Sequence, residues 1–213
     1  MSIKLKLEEQ LRQLNETDDY EVISTIGDSI WDMTDEMDSS TDPSVLPLLA
    51  KAIDSDASSY FIDNAIVAVG AIGGELAETI LLSVKEEYAE VDEEIVLKSK
   101  ELLATVNPIK YISDINQDTQ YAVIRELSKG KTKNLELVKE VIGMTKQGVN
   151  LVNKMKMNLL WIALDSDNIE LCKYLLDKGV DVSTKNAYGE SATEHAGKVG
   201  NATSTYLVQQ MAG

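Results

Sequence analysis

The sequence has few of the residues that cross-link or interrupt a chain: one cysteine, three prolines and 12 glycines among 213 residues. A single cysteine excludes an internal disulfide. The sequence shows no strict period-2 runs of Val, Ile and Thr, as half-buried strands would. Since 44% of the residues are hydrophobic, the chain can still build a core, and the composition predicts an all-α protein.

Long apolar runs and targeting signals are also missing. No apolar stretch approaches the roughly 20 residues that a transmembrane helix requires. Residues 1–6 are followed by Glu8 and Glu9, where a signal peptide would have an apolar run and a cleavage site with small residues. We therefore expect a cytoplasmic protein that does not enter a membrane.

Basic residues are scarce in the first half of the chain. Residues 1–106 contain 7 Lys and Arg against 24 Asp and Glu, whereas residues 107–213 contain 13 against 12. The excess acidity behind the net charge of −16 thus lies in the first half, and no basic residue occurs between Arg12 and Lys51. Such a field repels nucleic acid and anionic membranes, but it attracts a basic protein and accelerates its association.

The most regular pattern occupies residues 153–185. Apolar residues follow helical spacing in Asn158–Asp165 and again in Ile169–Asp177. Gly179 stands where the second helix would end in a left-handed turn. Two helices and a loop in about 33 residues, with Asn158–Ala163 in place of the family motif Thr-Pro-Leu-His-X-Ala, resemble an ankyrin repeat. The resemblance implies a unit that binds other proteins and has no catalytic role.

Weaker copies of this pattern lie on both sides. A shift of 33 residues places Ala196 on Ala163 and Val208 on Leu175. The last copy carries polar residues on its final helix, among them Ser204, as a capping repeat requires. We expect ankyrin-like units at residues 116–150, 151–183 and 184–213.

The first half resembles repeats of the HEAT type. Within Pro43–Val84, leucines precede Asp54-Ser-Asp56, and a run rich in Ala and Gly follows at Ala65–Gly73. Small residues there would let adjacent helices approach closely. The resemblance implies an α-solenoid in which an acidic HEAT-like region, residues 1–106, continues into the ankyrin-like region, residues 107–213. Asn107-Pro108 marks the boundary because charge balance and repeat type change there.

Candidates for chemistry are few. His195 and Cys172, each the sole residue of its type, fall in different repeats, so we expect structural roles and no enzyme. The acidic run at residues 32–38 lacks the alternating ligand pattern of a calcium loop, which favours a solvated acidic face over a weak metal site. Gly70–Gly74 follows no strand and precedes no Lys-Ser or Lys-Thr, unlike a nucleotide-binding loop. We expect no cofactor.

Trp31 is the most informative single residue, because it falls off the buried stripe of its helix and stands among acids. Either a neighbouring helix covers it, or it is exposed and anchors an interface, since Trp is enriched among binding hot spots. We expect the partner-binding residues to be Tyr20, Asp28, Trp31, Asp32, Asp35, Glu36, Asp38 and Asp42.

Repeat architecture and acidity together are similar to those of immunity proteins from bacterial contact-dependent growth inhibition and related polymorphic toxin systems. The resemblance implies that the chain neutralises a cognate basic toxin domain, with a nuclease favoured by charge, by covering its active site. The alternative is a cytosolic adaptor that docks a protein partner through residues 116–213. An immunity protein should bind one basic partner in a salt-sensitive manner, whereas an adaptor should be little affected by salt.

Overall fold

A computed structural model describes residues 2–34, 36–37, 40–54, 59–129 and 134–212. Within these ranges the chain forms thirteen α-helices and three short 3₁₀ helices, which confirms the prediction of an all-α protein. It divides into two compact units, Met1–Asn107 and Pro108–Gly213. Among the described residues no helix is both long enough and apolar enough to cross a membrane.

The first unit contains six α-helices, whose ends are set by local capping. The Ser2 hydroxyl accepts a hydrogen bond from the Leu5 amide at the start of the first helix, at 3.3 Å. Asp92 does the same for the amides of Glu94 and Ile95 at the start of the sixth. The helices are α1 (Ile3–Leu14), α2 (Tyr20–Thr34), α3 (Leu46–Ile53), α4 (Ser59–Ile72), α5 (Gly74–Glu87) and α6 (Glu93–Val106), with a 3₁₀ turn at Pro43–Val45 before α3.

Helix α4 lies at the centre of this unit and contacts α2, α3, α5 and α6. It is almost entirely apolar, and Asp63 is its only charged residue. The buried side chain of Asn64 donates a hydrogen bond to the Gly27 carbonyl at 3.2 Å, which joins α4 to α2. The largest fully buried side chains of the unit include Leu7, Ile26, Ile30, Leu49, Ile66, Leu81, Ile95 and Leu103.

Gly70 brings α4 and α6 close together. A Cβ atom on Gly70 would lie 2.6 Å from Cδ2 of Leu102, closer than carbon atoms can approach. The expectation that small residues in this run allow close helix packing is therefore confirmed at Gly70. Gly73 and Gly74 then connect α4 to α5 with φ angles of 69° and 86°, a conformation that other residues avoid.

The second unit contains three helix pairs after a short leading helix. The helices predicted around residues 158–165 and 169–177 are present, and Asn158 and Asn168 form their N-caps. The elements are α7 (Pro108–Tyr111), α8 (Gln117–Lys129), α9 (Leu135–Met144), α10 (Leu159–Asp165), α11 (Ile169–Asp177), α12 (Ala192–Val199) and α13 (Ala202–Ala212), with 3₁₀ turns at Ile112–Asp114 and Gly148–Asn150.

Side-chain hydrogen bonds to the backbone connect each pair to the next. The Tyr121 hydroxyl donates to the Asn158 carbonyl at 3.2 Å, and the Asn201 amide donates to the Leu164 carbonyl at 2.8 Å. These contacts span 37 residues in sequence, slightly more than one repeat. Neighbouring repeats are therefore held by specific polar contacts as well as by apolar packing.

The last helix, α13, buries different residues from those that the shift of 33 predicts. Val208, placed on the buried Leu175 by the shift of 33, is 40% exposed, whereas Leu207 is fully buried. Ser204, one of the polar residues that the sequence places on this helix, is buried, and its hydroxyl donates a hydrogen bond to the Asn201 carbonyl at 2.8 Å. The reason lies in the first turn, where Thr203 donates two hydrogen bonds to Asp167 and fixes the helix.

Candidate protein-binding surfaces

The outward face of α2 carries four of the residues predicted to bind a partner. Asp28, Trp31 and Asp32 are exposed and lie at helical spacings of three and four, so they share one side of the helix. Trp31 is 47% exposed, so a neighbouring helix does not cover it, and its role as an interface anchor stays a prediction. Tyr20 at the start of the helix is 73% exposed. An aromatic ring among carboxylates thus faces solvent on α2.

The remaining predicted contact residues follow α2. Glu36 is exposed, and it lines a groove of about 270 Å³ together with Asp32 and residues of α1. Asp42 is exposed but also caps the 3₁₀ turn, because its carboxylate accepts hydrogen bonds from the Ser44 amide and hydroxyl. These bonds lower the pKa of Asp42. Asp35 and Asp38 lie outside the described residues. A partner-binding role for the set stays a prediction.

A second groove places Trp31 beside acids from other helices. It encloses about 170 Å³ and is lined by one residue of α2, three of α4 and two of α6: Trp31, Asp63, Asn64, Val67, Glu94 and Lys98. We call it the Trp31 groove. Sequence reasoning missed Asp63 and Glu94; the signal that could have indicated Asp63 is that it is the one charged residue of α4.

Asp63 is the residue of the Trp31 groove whose negative charge is most disfavoured by burial. Its Oδ1 atom is buried and has no hydrogen-bond partner among the residues that the structure describes. Burial raises the pKa of Asp63, and the nearby carboxylates of Glu94 and Asp92 raise it further, while Lys98 opposes them. The ionised carboxylate is therefore less stable in the folded protein than in the unfolded chain.

Replacing this carboxylate should stabilise the first unit at neutral pH. Because the folded pKa is raised, the free energy of unfolding falls as the pH rises through the ordinary Asp range towards the folded value. We expect Asp63→Asn to add about 0.5 kcal/mol at about pH 7 and nothing at about pH 3, since solvent screens the exposed part of the group. Urea unfolding followed by circular dichroism at both pH values measures this.

The control for this experiment is Asp18→Asn, which makes the same change at an exposed residue between α1 and α2 of the same unit. Its effect on the free energy of unfolding is measured at both pH values and subtracted. A loss of stability in Asp63→Asn at about pH 7 would contradict the argument, because it would mean that the ionised carboxylate stabilises the fold.

The second unit presents a different surface at the loops between its helix pairs. Antiparallel bridges close two loops, at Val152 with Asn158 and at Lys185 with Ser191. The Ala187 amide donates to the Met155 carbonyl at 2.8 Å, so the two loops lie side by side. Their large exposed side chains are basic or aromatic: Lys154, Lys156, Lys185 and Tyr188, of which Tyr188 is 80% exposed.

His195 and Cys172 occupy structural positions in the second unit. The His195 ring stacks on Trp161 of the preceding repeat, with 4.3 Å between ring centroids. Burial raises the pKa of the Cys172 thiol to about 11, so it is protonated near neutral pH and a poor nucleophile. In the described part of the chain, no three His, Cys, Asp or Glu residues are grouped so that they could hold a metal ion.

Comparison with known proteins supports the repeat pattern of the second unit. The family model for ankyrin repeats (3 copies) matches residues 124–212, from within α8 to the end of α13. These residues are therefore ankyrin repeats, and the resemblance drawn from the sequence is confirmed for them. No curated protein and no solved structure matches the chain. The resemblances to HEAT repeats and to immunity proteins stay predictions.

Proposed function

We propose that this chain, whose residues 124–212 are ankyrin repeats that bind proteins, captures a basic protein partner through the acidic face of its first unit. The specific form of the proposal is an immunity protein that covers the active site of a cognate toxin domain, in particular a nuclease. One observation carries it: Asp28, Trp31 and Asp32 are exposed together on α2, in a half of the chain with 24 acidic and 7 basic residues.

The physical argument separates the approach of the partner from its retention. The negative field of the first unit raises the rate at which a basic protein meets this face. Exposed ion pairs contribute little affinity once formed, so slow release must come from desolvated anchors. Trp31 and Tyr20 are the aromatic side chains on α2 that can supply them. Carboxylates that occupy a basic cleft also exclude RNA or DNA from it.

Charge reversal on α2 tests the proposal. The partner is first captured with the tagged protein from the cells in which this protein occurs, at about 50 mM and at about 500 mM salt. The two purified proteins are then mixed in a stopped-flow instrument at both salt concentrations. We expect Asp28→Lys with Asp32→Lys to lower the association rate constant about tenfold at low salt, with most of that difference lost at high salt. The dissociation rate constant should change less, because both side chains are exposed.

The matched control reverses two exposed carboxylates of the second unit, Asp114→Lys with Asp177→Lys. The net charge change is the same, so a general effect of protein charge would slow both double variants equally. If both bind at the wild-type rate, or both slow equally, the acidic face of α2 is not the binding site.

An adaptor that docks its partner through the ankyrin repeats is the second candidate. The exposed Tyr188 and the lysines of the neighbouring loop favour it. Binding through this surface should weaken in Tyr188→Ala, and any salt dependence would come from these lysines and not from Asp28 and Asp32. That result, with wild-type rates for the α2 variant, would favour the adaptor over the immunity protein.

A further inference from the structure

We infer that the Trp31 groove receives one arginine side chain of the basic partner, so that the guanidinium lies between the Trp31 ring and the carboxylates of Asp63 and Glu94. The inference rests on the proposed function, because it names the contact that retains a partner brought in by the acidic field. It assigns a binding role to Asp63 and Glu94, which lie outside the acidic stretch around α2.

The size of the groove fits a single side chain. Its volume is about 170 Å³, below the roughly 300–1,000 Å³ typical of sites that enclose a whole small-molecule ligand. The lining combines an aromatic ring and Val67 with two carboxylates.

The chemistry of the lining favours arginine over lysine. A guanidinium is planar, weakly hydrated and carries five N–H donors, so it can stack on an indole ring and donate to carboxylates at the same time. An ammonium is more strongly hydrated and loses more on leaving water. A groove that is partly desolvated and edged by Trp31 therefore selects the guanidinium.

Asp63 provides the reason for such a ligand to bind. Its buried Oδ1 has no hydrogen-bond partner in the described part of the chain. Among the described residues, no Lys, Arg or His nitrogen lies within 4.0 Å of a carboxylate oxygen of Asp63 or Glu94. The free protein has thus already met part of the cost of desolvating this carboxylate. Because Oδ1 is closed to solvent, a guanidinium donor would bind the other carboxylate oxygen, where it would gain a charge-assisted hydrogen bond.

Lys98 is a built-in competitor at the edge of the groove. It lines the same space and its charge opposes the other causes that raise the pKa of Asp63. A second cation must therefore enter against the Lys98 charge. Removing that charge should tighten the binding of arginine, whereas removing the Asp63 charge should weaken it, and these opposite effects give the experiment two independent readouts.

The experiment follows the two indole N–H signals of the ¹⁵N-labelled full chain, which contains two tryptophans. The probes are the α-N-acetyl amides of arginine, citrulline and lysine, added to about 50 mM at constant ionic strength, where binding in the millimolar range is detectable. Citrulline keeps the shape of arginine without its charge. Trp161 is 4% exposed and belongs to the second unit, so its signal is the internal control.

We expect the Trp31 signal to move saturably with the arginine amide, less with the lysine amide and not with the citrulline amide. Asp63→Asn should weaken arginine binding about tenfold, Lys98→Met should tighten it, and Asp177→Asn should leave it unchanged. Asp63→Asn should also speed dissociation of the isolated partner about tenfold. Equal shifts with arginine and citrulline, or no shift of Trp31, would overturn the inference.

The same data separate the inference from the proposed function. If the partner depends on Asp28 and Asp32 but not on Asp63, the acidic face binds it and the groove assignment is wrong. If the arginine amide binds as expected while reversal of Asp28 and Asp32 leaves partner binding unchanged, the groove binds a guanidinium and the proposed function is wrong.

Discussion

Asn158→Ala should lower the free energy of unfolding of the second unit by about 3 kcal/mol. The side chain is buried and makes two hydrogen bonds of different kinds: it accepts from the Leu160 amide at 3.2 Å and donates to the Asp181 carbonyl at 2.9 Å. The first caps α10, and the second holds the loop that follows α11. Alanine would leave a buried amide unpaired and release that loop.

A matched control separates capping from the contact between elements. Asn134 caps α9 through the Leu137 amide at 3.1 Å but is exposed. Asn134→Ala should therefore cost only about 1 kcal/mol, the usual value of an N-cap. Urea unfolding followed by Trp161 fluorescence, in a Trp31→Phe background, measures both variants. Equal losses would mean that the bond to Asp181 adds nothing.

Gly70→Val should lower the free energy of unfolding of the first unit by about 2 to 3 kcal/mol. The new side chain would meet Leu102 of α6, whose Cδ2 lies 2.6 Å and whose Cβ lies 3.3 Å from a Cβ at residue 70. Rotation of Leu102 can relieve the first contact but not the second, so α4 and α6 must separate. The slightly better helix propensity of Val offsets only about 0.4 kcal/mol.

A double-mutant cycle identifies the cause of that loss. Leu102→Ala removes the side chain that clashes, so the loss caused by Gly70→Val should be at least about 1 kcal/mol smaller in the Leu102→Ala background. Gly143→Ala is the control, because no residue beyond its own helical turn lies within 4 Å of a Cβ there; α9 of the second unit should gain stability, which Trp161 fluorescence in a Trp31→Phe background measures. Trp31 fluorescence in a Trp161→Phe background reports on the first unit. Strictly additive losses would exclude the clash as the cause.

Local patterns predicted the helices well because caps and apolar spacing act over a few residues. The spacing of apolar residues predicted helices in Asn158–Asp165 and Ile169–Asp177, where α10 and α11 are observed. The exposure of Trp31 could be anticipated as one of two alternatives, since its position relative to the buried stripe of α2 is a property of one helix. The ankyrin repeats were recognisable because their period repeats in the sequence.

Contacts between distant elements were beyond the reach of such patterns. The Trp31 groove forms because α4 packs against both α2 and α6, and no local signal in residues 59–72 indicates which neighbours this helix has. Which face of α13 is buried likewise depends on Asp167, which lies 36 residues before its hydrogen-bond donor Thr203. Both features arise from long-range packing, which one sequence does not reveal.

The C-terminal end of α2 has the wrong charge for a helix. A helix dipole places about half a negative charge at that end, yet the last turn of α2 contains Asp32 and no basic residue. Glu36 extends the turn through its amide, which donates to the Met33 carbonyl at 3.1 Å. A cation placed there gains from the dipole and the carboxylates together, by about 0.3 to 1 kcal/mol from the dipole alone. A basic partner that places a cation there would therefore stabilise the C-terminal end of α2. We expect the backbone amide hydrogens in the last turns of α2 to exchange more slowly in the complex.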